Sequence, residues 1–273
     1  MSFVFYLIST VFFEAKIKFL SLFFTAIQIY YTFVTIEFDY MLEKELQFER
    51  GLFFSLNGSG SAFWDNFFYI YTNQWTWLIF YLCFLWVFTY KKNWKEIVCV
   101  LIAVGLLILF TDQLSSGVFK PLFHRFRPTH HPDFMNQVRV VFNYRGGNYG
   151  FISGHAANSF GFATFCALIF RNKLFTWTIF LFAFLNAYSR VYIGVHFISD
   201  VVVGALVGML IAGFIYLLYN RVRCRWLHVE NDRLKESIYS GRESYFLCII
   251  FYLYIIVMLL FSNQFVTILL QNK

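Results

Sequence analysis

Charge is scarce in this sequence. Only 14% of its 273 residues are Asp, Glu, Lys or Arg, while 59% are hydrophobic, and the mean hydropathy is +0.61. That composition excludes a soluble domain, whose surface must be solvated. Cysteine is sparse and poorly spaced. Cys83, Cys99, Cys166, Cys224 and Cys248 lie in apolar runs or a basic loop, with neither metal-ligand spacing nor a disulfide framework. They read as small packing residues. Acidic clusters are missing as well: Asp112 and Asp133 are too scattered to hold a metal. No positive charge precedes the first apolar run, which argues against a secretory signal. There is no internal repeat and no low-complexity linker. In their place stand 39 phenylalanines and apolar runs near the ~20 residues that cross a bilayer. The expected class is all-α: an integral membrane helical bundle of five to six spans with an interfacial amphipathic helix.

Taken in order, residues 1–40 form an apolar N-terminal segment in which Phe19–Phe38 is just long enough to span. It reads as an extra span or as a mis-assigned start, since Met41 opens a segment of its own. Leu42–Leu56 spaces apolar residues between charges, the pattern of an interfacial helix. Spans are expected over Phe67–Tyr90, Ile97–Phe119, Gly154–Phe170, Leu174–Tyr188, His196–Tyr219 and Tyr245–Leu270. A polar loop runs from Pro121 to about Gly150, and a basic linker precedes the last span. The division is therefore 1–40, a core over 41–225, and 226–273. Lys91, Lys92 and Lys95, then Arg171 and Lys173, then Arg221, Arg223 and Arg225, fall on one face if the spans alternate. By the positive-inside trend that face is cytoplasmic. The same bias accounts for the net charge of +7 without nucleic acid. The loop from Lys120 to Gly150 then lies outside, with five Lys/Arg against one acid, Asp133. An anionic substrate is the simplest reason for those charges; anionic lipid headgroups are the plainer one.

Five of the six histidines fall between positions 124 and 196, among three polar clusters. Lys120 and Arg127-Pro128 form the first. Alone they read as snorkelling anchors. Ser153-Gly154-His155 stands where an apolar helix begins, and a helix N-terminus is a ready anion site; alone, Ser153 is an ordinary N-cap. In the third, Ser189-Arg190 ends a span while His196 and Asp200 begin another, and their i,i+4 spacing puts imidazole and carboxylate on one helical face. A lone pair of this kind is more often a structural bond. Gly204, Gly208 and Ala212 continue the stripe and allow a second helix to approach closely. Polar groups inside apolar segments mark function. Basic side chains with hydroxyl and amide donors suit a phosphate, and two histidines with a carboxylate suit phosphoryl transfer through a covalent intermediate.

Together these clusters resemble the three-part signature of the type 2 phosphatidic acid phosphatase superfamily: Lys120-x6-Arg127-Pro128, Ser153-Gly154-His155 and Ser189-Arg190-x5-His196-x3-Asp200. The resemblance covers roughly residues 42–225. One departure is Ile152, where the family usually has proline. The resemblance implies that His196 is the nucleophile, Asp200 orients its ring, and His155 protonates the leaving oxygen and then activates water. It implies that Lys120, Arg127, Ser153, Arg190 and the Gly154 amide hold the phosphate, with no metal and no other cofactor. His124, Arg125, His130, His131, Arg139 and Arg145 either read the rest of the headgroup or only tune local charge. The expected activity is hydrolysis of a lipid phosphate or diphosphate at the outer face of the cytoplasmic membrane. Undecaprenyl diphosphate or a lipid A phosphate is favoured over phosphatidylglycerophosphate or phosphatidate. A vanadate-dependent peroxidase and a non-enzymatic lipid-binding or transport protein are the remoter alternatives.

Overall fold

The computed structural model describes residues 48–58, 60–230, 234 and 236–271, with Thr25 and Lys44 besides. Internal packing divides the chain into Met1–Phe48 and Glu49–Lys273, and the architecture that follows is that of the second unit. The apolar segment 1–40, with Phe19–Phe38, lies outside the described residues. Of the expected amphipathic helix, residues 49–56 are helical (α1).

The span expected over Phe67–Tyr90 is broken. Helix α2 (Ala62–Thr72) stops at Asn73, a tight turn over Gln74–Trp77 follows, and α3 (Leu78–Thr89) resumes. The cause is local. The Asn73 side chain accepts from the Trp75 amide at 2.9 Å, competing with the helix ladder. The Tyr71 carbonyl released by the break accepts the Trp77 indole N–H at 2.7 Å. Apolar composition hid this break, because Thr72, Asn73 and Gln74 are a short uncharged patch among aromatics.

Helix α4 (Trp94–Asp112) starts from Asn93, whose side chain accepts from the Lys95 amide. It widens into a π-helical stretch over Gln113–Phe119 and continues as α5 (Lys120–Phe123), 30 residues in all. Pro121 explains the widening: a proline in a helix lacks its N–H and crowds the carbonyl four residues back, here that of Gly117. After the loop over residues 124–153 come α6 (Gly154–Phe170), α7 (Lys173–Tyr192), α8 (Ile198–Trp226) and α9 (Gly241–Gln271). Trp94–Phe123, α7, α8 and α9 are long and apolar enough to cross a membrane. The 17-residue α6 and the α2–α3 pair complete the bundle.

Helices α6 and α8 touch backbone to backbone. A methyl group at Gly208 would overlap the Ala157 carbonyl, and one at Gly204 would come within 2.6 Å of the Ser153 oxygen. The small-residue stripe thus does what its spacing suggested. Around this pair the core is aromatic: Trp77 meets Phe182 edge-on at 4.7 Å, and Phe170 stacks on Tyr239 at 4.4 Å.

Contacts gather the basic loops at one end. Lys92 pairs with Glu243 at 3.0 Å, and Arg171 donates to the Tyr216 hydroxyl at 2.6 Å. Arg223 differs from expectation: it is buried and its Nε donates to Glu96 at 3.1 Å, because its helix face packs on α4. The Lys120, Ser153 and His196 clusters occupy the opposite end.

Candidate active site

The π-helical stretch ahead of α5 sets the first group. It brings Ser115 beside Gly154, so that a methyl there would lie 2.9 Å from Ser115 Oγ. Lys120 Nζ donates to Ser116 Oγ at 3.1 Å. Further on, Arg127 is extended (φ −66°, ψ 155°), as a residue before proline prefers. Its amide donates to the Asn148 carbonyl at 2.9 Å, closing the loop between α5 and α6 on itself. The buried guanidinium donates through Nε to Tyr149 O at 3.1 Å and through Nη1 to Val195 O at 3.2 Å. The same Nη1 lies 3.2 Å from His196 Nε2. Burial, and then the neighbouring Arg190, push Arg127 down to about 10, so it stays charged at neutral pH.

His196 is not in the helix that its spacing to Asp200 suggested. Helix α8 begins at Ile198, and His196 sits in the bend before it. The pair still meets, because Asp200 turns back over the helix start. Its Oδ2 accepts the Phe197 amide at 3.0 Å and lies 3.4 Å from His196 Nδ1. Burial and the charges of Arg127, Arg190 and Lys120 hold the His196 imidazole well below the usual histidine range.

Ser153 caps α6: its Oγ accepts the Ala156 amide at 3.4 Å, and its own N–H donates to the Asp200 carbonyl at 2.9 Å. Helix α6 and the start of α8 are thereby tied together at the site. Arg190, in the last turn of α7, is buried. Its Nη1 donates to Thr72 Oγ1 at 2.7 Å, and the guanidinium lies over the Tyr144 ring at 5.6 Å. Among the described residues its Nε finds no acceptor. His155 lies within electrostatic reach of Arg190, His196, Arg127 and Lys120. It also lines a cavity of about 420 Å³, with Thr72 and Asn158 near it and Trp77, Phe84 and Phe88 among its walls.

The structure therefore brings together Lys120, Arg127, Ser153, Gly154, His155, Arg190, His196 and Asp200 from α5, the loop between α5 and α6, and the ends of α6, α7 and α8. The six residues suggested for headgroup contact are scattered. Arg125 is turned inward, donating to Asp200 at 2.8 Å and Glu49 at 2.9 Å. His131 is buried and stacks on Phe134 at 4.0 Å. Arg139 is exposed and paired with Asp65. These three have structural partners, and a headgroup role is not what their placement suggests. Arg145 donates to Thr129 O at 3.1 Å, and His124 stands edge-on to Tyr149 at 4.8 Å. His130, beside Thr129 Oγ1 at 3.1 Å, is held low by burial and then by Arg145 and Arg127. Glu49, Thr72, Tyr144 and Ser199 are at the site without having been singled out. Each is an ordinary polar residue in its own stretch, and only tertiary packing selects it.

A buried imidazole flanked by a carboxylate, three cations, a helix N-terminus and a second histidine can take up and transfer a phosphoryl group. Comparison with known proteins points the same way. The sequence model of the PAP2 superfamily matches residues 96–224. The chain is 48% identical over 200 residues to a lipid A 4'-phosphatase of Porphyromonas gingivalis, covering 73% of this chain and 85% of that protein. It is 34% identical to a lipid A 4'-phosphatase of Bacteroides thetaiotaomicron, covering 68% and 83%. The crystal structure of Aquifex aeolicus LpxE aligns with a TM-score of 0.46 at 26% identity, covering 62% of this chain and 94% of that one. On the signature, the family match and the two lipid A 4'-phosphatase relatives, the chain belongs to the PAP2 superfamily.

Proposed function

We propose that this protein removes a phosphate from a lipid A-type glycolipid through a phosphohistidine on His196, at the outer face of the cytoplasmic membrane. It is a multi-pass membrane phosphatase of lipid phosphates. The choice of lipid A over other lipid phosphates rests on two relatives that carry that name. One observation carries the mechanism. His196 Nε2 faces Arg127 while Nδ1 faces Asp200, so the unprotonated nitrogen points to the cationic side.

In the first step His196 Nε2 bonds to phosphorus as the bond to the lipid oxygen breaks. His155, charged once the bound phosphate offsets the surrounding cations, gives that oxygen its proton. Arg127, Lys120 and Arg190 stabilise the charge that builds on the phosphoryl oxygens, and the unpartnered Nε of Arg190 is a donor available to one of them. Asp200 steadies the imidazolium. In the second step His155 takes a proton from water, the water oxygen bonds to phosphorus, and the P–N bond breaks to release phosphate. The lipid must leave on the His155 side, where the apolar cavity begins. An acyl chain there contributes about 0.8 kcal/mol per buried CH₂.

The test is phosphate release by the purified protein from a panel of lipid A phosphates, undecaprenyl diphosphate, phosphatidylglycerophosphate and phosphatidate. The highest kcat/KM on lipid A phosphate supports the assignment; a preference for another member replaces it.

A further inference from the structure

The outer loop holds a second buried arginine that the signature does not use. Arg125 Nη1 donates to Asp200 Oδ1 at 2.8 Å and to Ser199 Oγ at 2.6 Å, and Nη2 donates to Glu49 at 2.9 Å. Glu49 in turn accepts the Ser199 amide at 2.8 Å and its hydroxyl at 2.7 Å. The guanidinium plane rests on Phe197, 4.8 Å from the ring centre. Three stretches of chain, α1, the outer loop and the start of α8, thus close one circuit of charge-assisted bonds, the strong class of hydrogen bond.

We propose that Arg125, anchored by Glu49, is a positioning residue for catalysis: it fixes the Asp200 carboxylate so that Oδ2 is the oxygen left for His196. The geometry divides the carboxylate cleanly. Oδ1 belongs to Arg125, whereas Oδ2 serves the Phe197 amide and His196 Nδ1. Asp200 is fully buried, and a buried carboxylate without its cation takes up a proton or turns to another donor. Either change spoils the orientation of the nucleophile. Arg125 itself touches no reacting atom. Its backbone carbonyl also accepts the Gly150 amide at 2.9 Å, which keeps the loop register independent of the side chain.

The consequence appears in pH dependence. The charged or titratable groups facing the His196–Asp200 pair are Lys120 from α5, Arg125 and Arg127 from the loop, His155 from α6 and Arg190 from α7. Glu49 of α1 stands behind Arg125. Removing Arg125 leaves two possibilities. A protonated Asp200 no longer supports His196; an ionised but unpaired Asp200 favours the imidazolium. Both move the acid limb of activity to higher pH.

The inference rests on the phosphohistidine reading, and the experiment separates the two. Full-length protein carrying Arg125→Gln or Arg125→Lys is assayed on nitrophenyl phosphate, with active sites counted from the burst of nitrophenol. Arg125→Gln is expected to lose on the order of 10²-fold in kcat per active site, with KM little changed. Its acid limb should rise by about one pH unit or more, the size of effect of an opposite charge at this range. Arg125→Lys, which keeps the charge but not the fork, should restore most of the limb. A smaller burst with an unchanged limb would make Arg125 purely structural and overturn the proposal, as would a loss confined to KM. His196→Ala run beside them tests the underlying reading. If that variant keeps a burst, the nucleophile is wrong; if it is dead while Arg125→Gln behaves like the parent, only the present inference falls.

Discussion

Arg127 Nη1 stands 3.2 Å from His196 Nε2. A guanidinium has donors and no acceptor, so Nε2 must present its lone pair and the ring proton must sit on Nδ1, facing Asp200 3.4 Å away. The tautomer that the proposed nucleophile requires is thereby set before any substrate arrives. In the proposed mechanism this arginine, read as a phosphate ligand, also prepares the attacking atom.

The first prediction follows from the sign of that arrangement. Burial and three cations disfavour the charged imidazole, so His196 stays neutral below the ordinary histidine range. The acid limb of kcat/KM attributable to it should lie below pH 6.5. Arg127→Gln removes a cation and should raise the His196 value. Histidine-selective NMR of the two proteins measures this directly, and an unchanged or lowered value in the variant contradicts the assignment.

Much of this was legible in the sequence because bilayer physics leaves few choices. Gly154–Phe170 was bounded correctly by Ser153, whose hydroxyl caps the helix, and by Arg171, which ends it in a left-handed conformation. The glycines at 204 and 208 announced a close helix contact, and the structure supplies α6 as the partner. What was illegible depended on single side chains or on packing. One asparagine breaks α2 from α3. Asp200 draws His196 to itself although the helix starts two residues after His196. Arg125 looks the same as Arg127 in sequence, yet Arg127 faces His196 and Arg125 the Asp200 carboxylate behind it. Glu49 lies 150 positions from Ser199, and no local pattern joins them.

Close packing of α6 on α8 gives a second prediction. A methyl at Gly208 has no room beside the Ala157 carbonyl, whereas Gly213 has nothing within 4 Å. Gly208→Ala should destabilise by about 1–3 kcal/mol through overpacking and shift Ser153 relative to Asp200, lowering turnover as well. Gly213→Ala should be neutral or slightly stabilising. Thermal unfolding in detergent compares the two; equal Tm values would contradict the backbone contact.

The cavity supplies a third. Val104 lines it and is half-buried. Val104→Trp should displace part of a bound acyl chain. Losing two or three buried CH₂ groups at about 0.8 kcal/mol each corresponds to roughly tenfold or more in kcat/KM on a long-chain lipid phosphate. Nitrophenyl phosphate, which has no chain, should be hydrolysed at the parental rate. Equal losses on both substrates would place the chain elsewhere.

Sidedness gives a fourth. Asn136 and Arg225 are exposed, the first in the loop between α5 and α6 and the second at the end where the basic loops meet. In a background without the five native cysteines, Asn136→Cys should react with an impermeant thiol reagent from outside the cell and Arg225→Cys should not. The opposite pattern inverts the orientation and puts the substrate in the inner leaflet.

The last prediction separates the two histidines. A nucleophile is needed whatever group departs, so His196→Ala should be inactive on every phosphate ester. A general acid matters only when the leaving oxygen is too basic to depart unaided, and such help is typically worth about 10²–10⁴-fold. Nitrophenolate needs little protonation; a lipid alkoxide needs a great deal. His155→Ala should therefore lose far more rate on the lipid than on the aryl ester in the first step. That step is read as the burst of nitrophenol, because in the proposed mechanism His155 also acts as the base when water attacks the phosphohistidine. The second step is then slowed on both substrates, and acid-labile phosphoenzyme should accumulate in the variant. Equal losses on both esters with no trapped intermediate would mean that His155 is not the acid. A burst that survives His196→Ala would exchange the two roles.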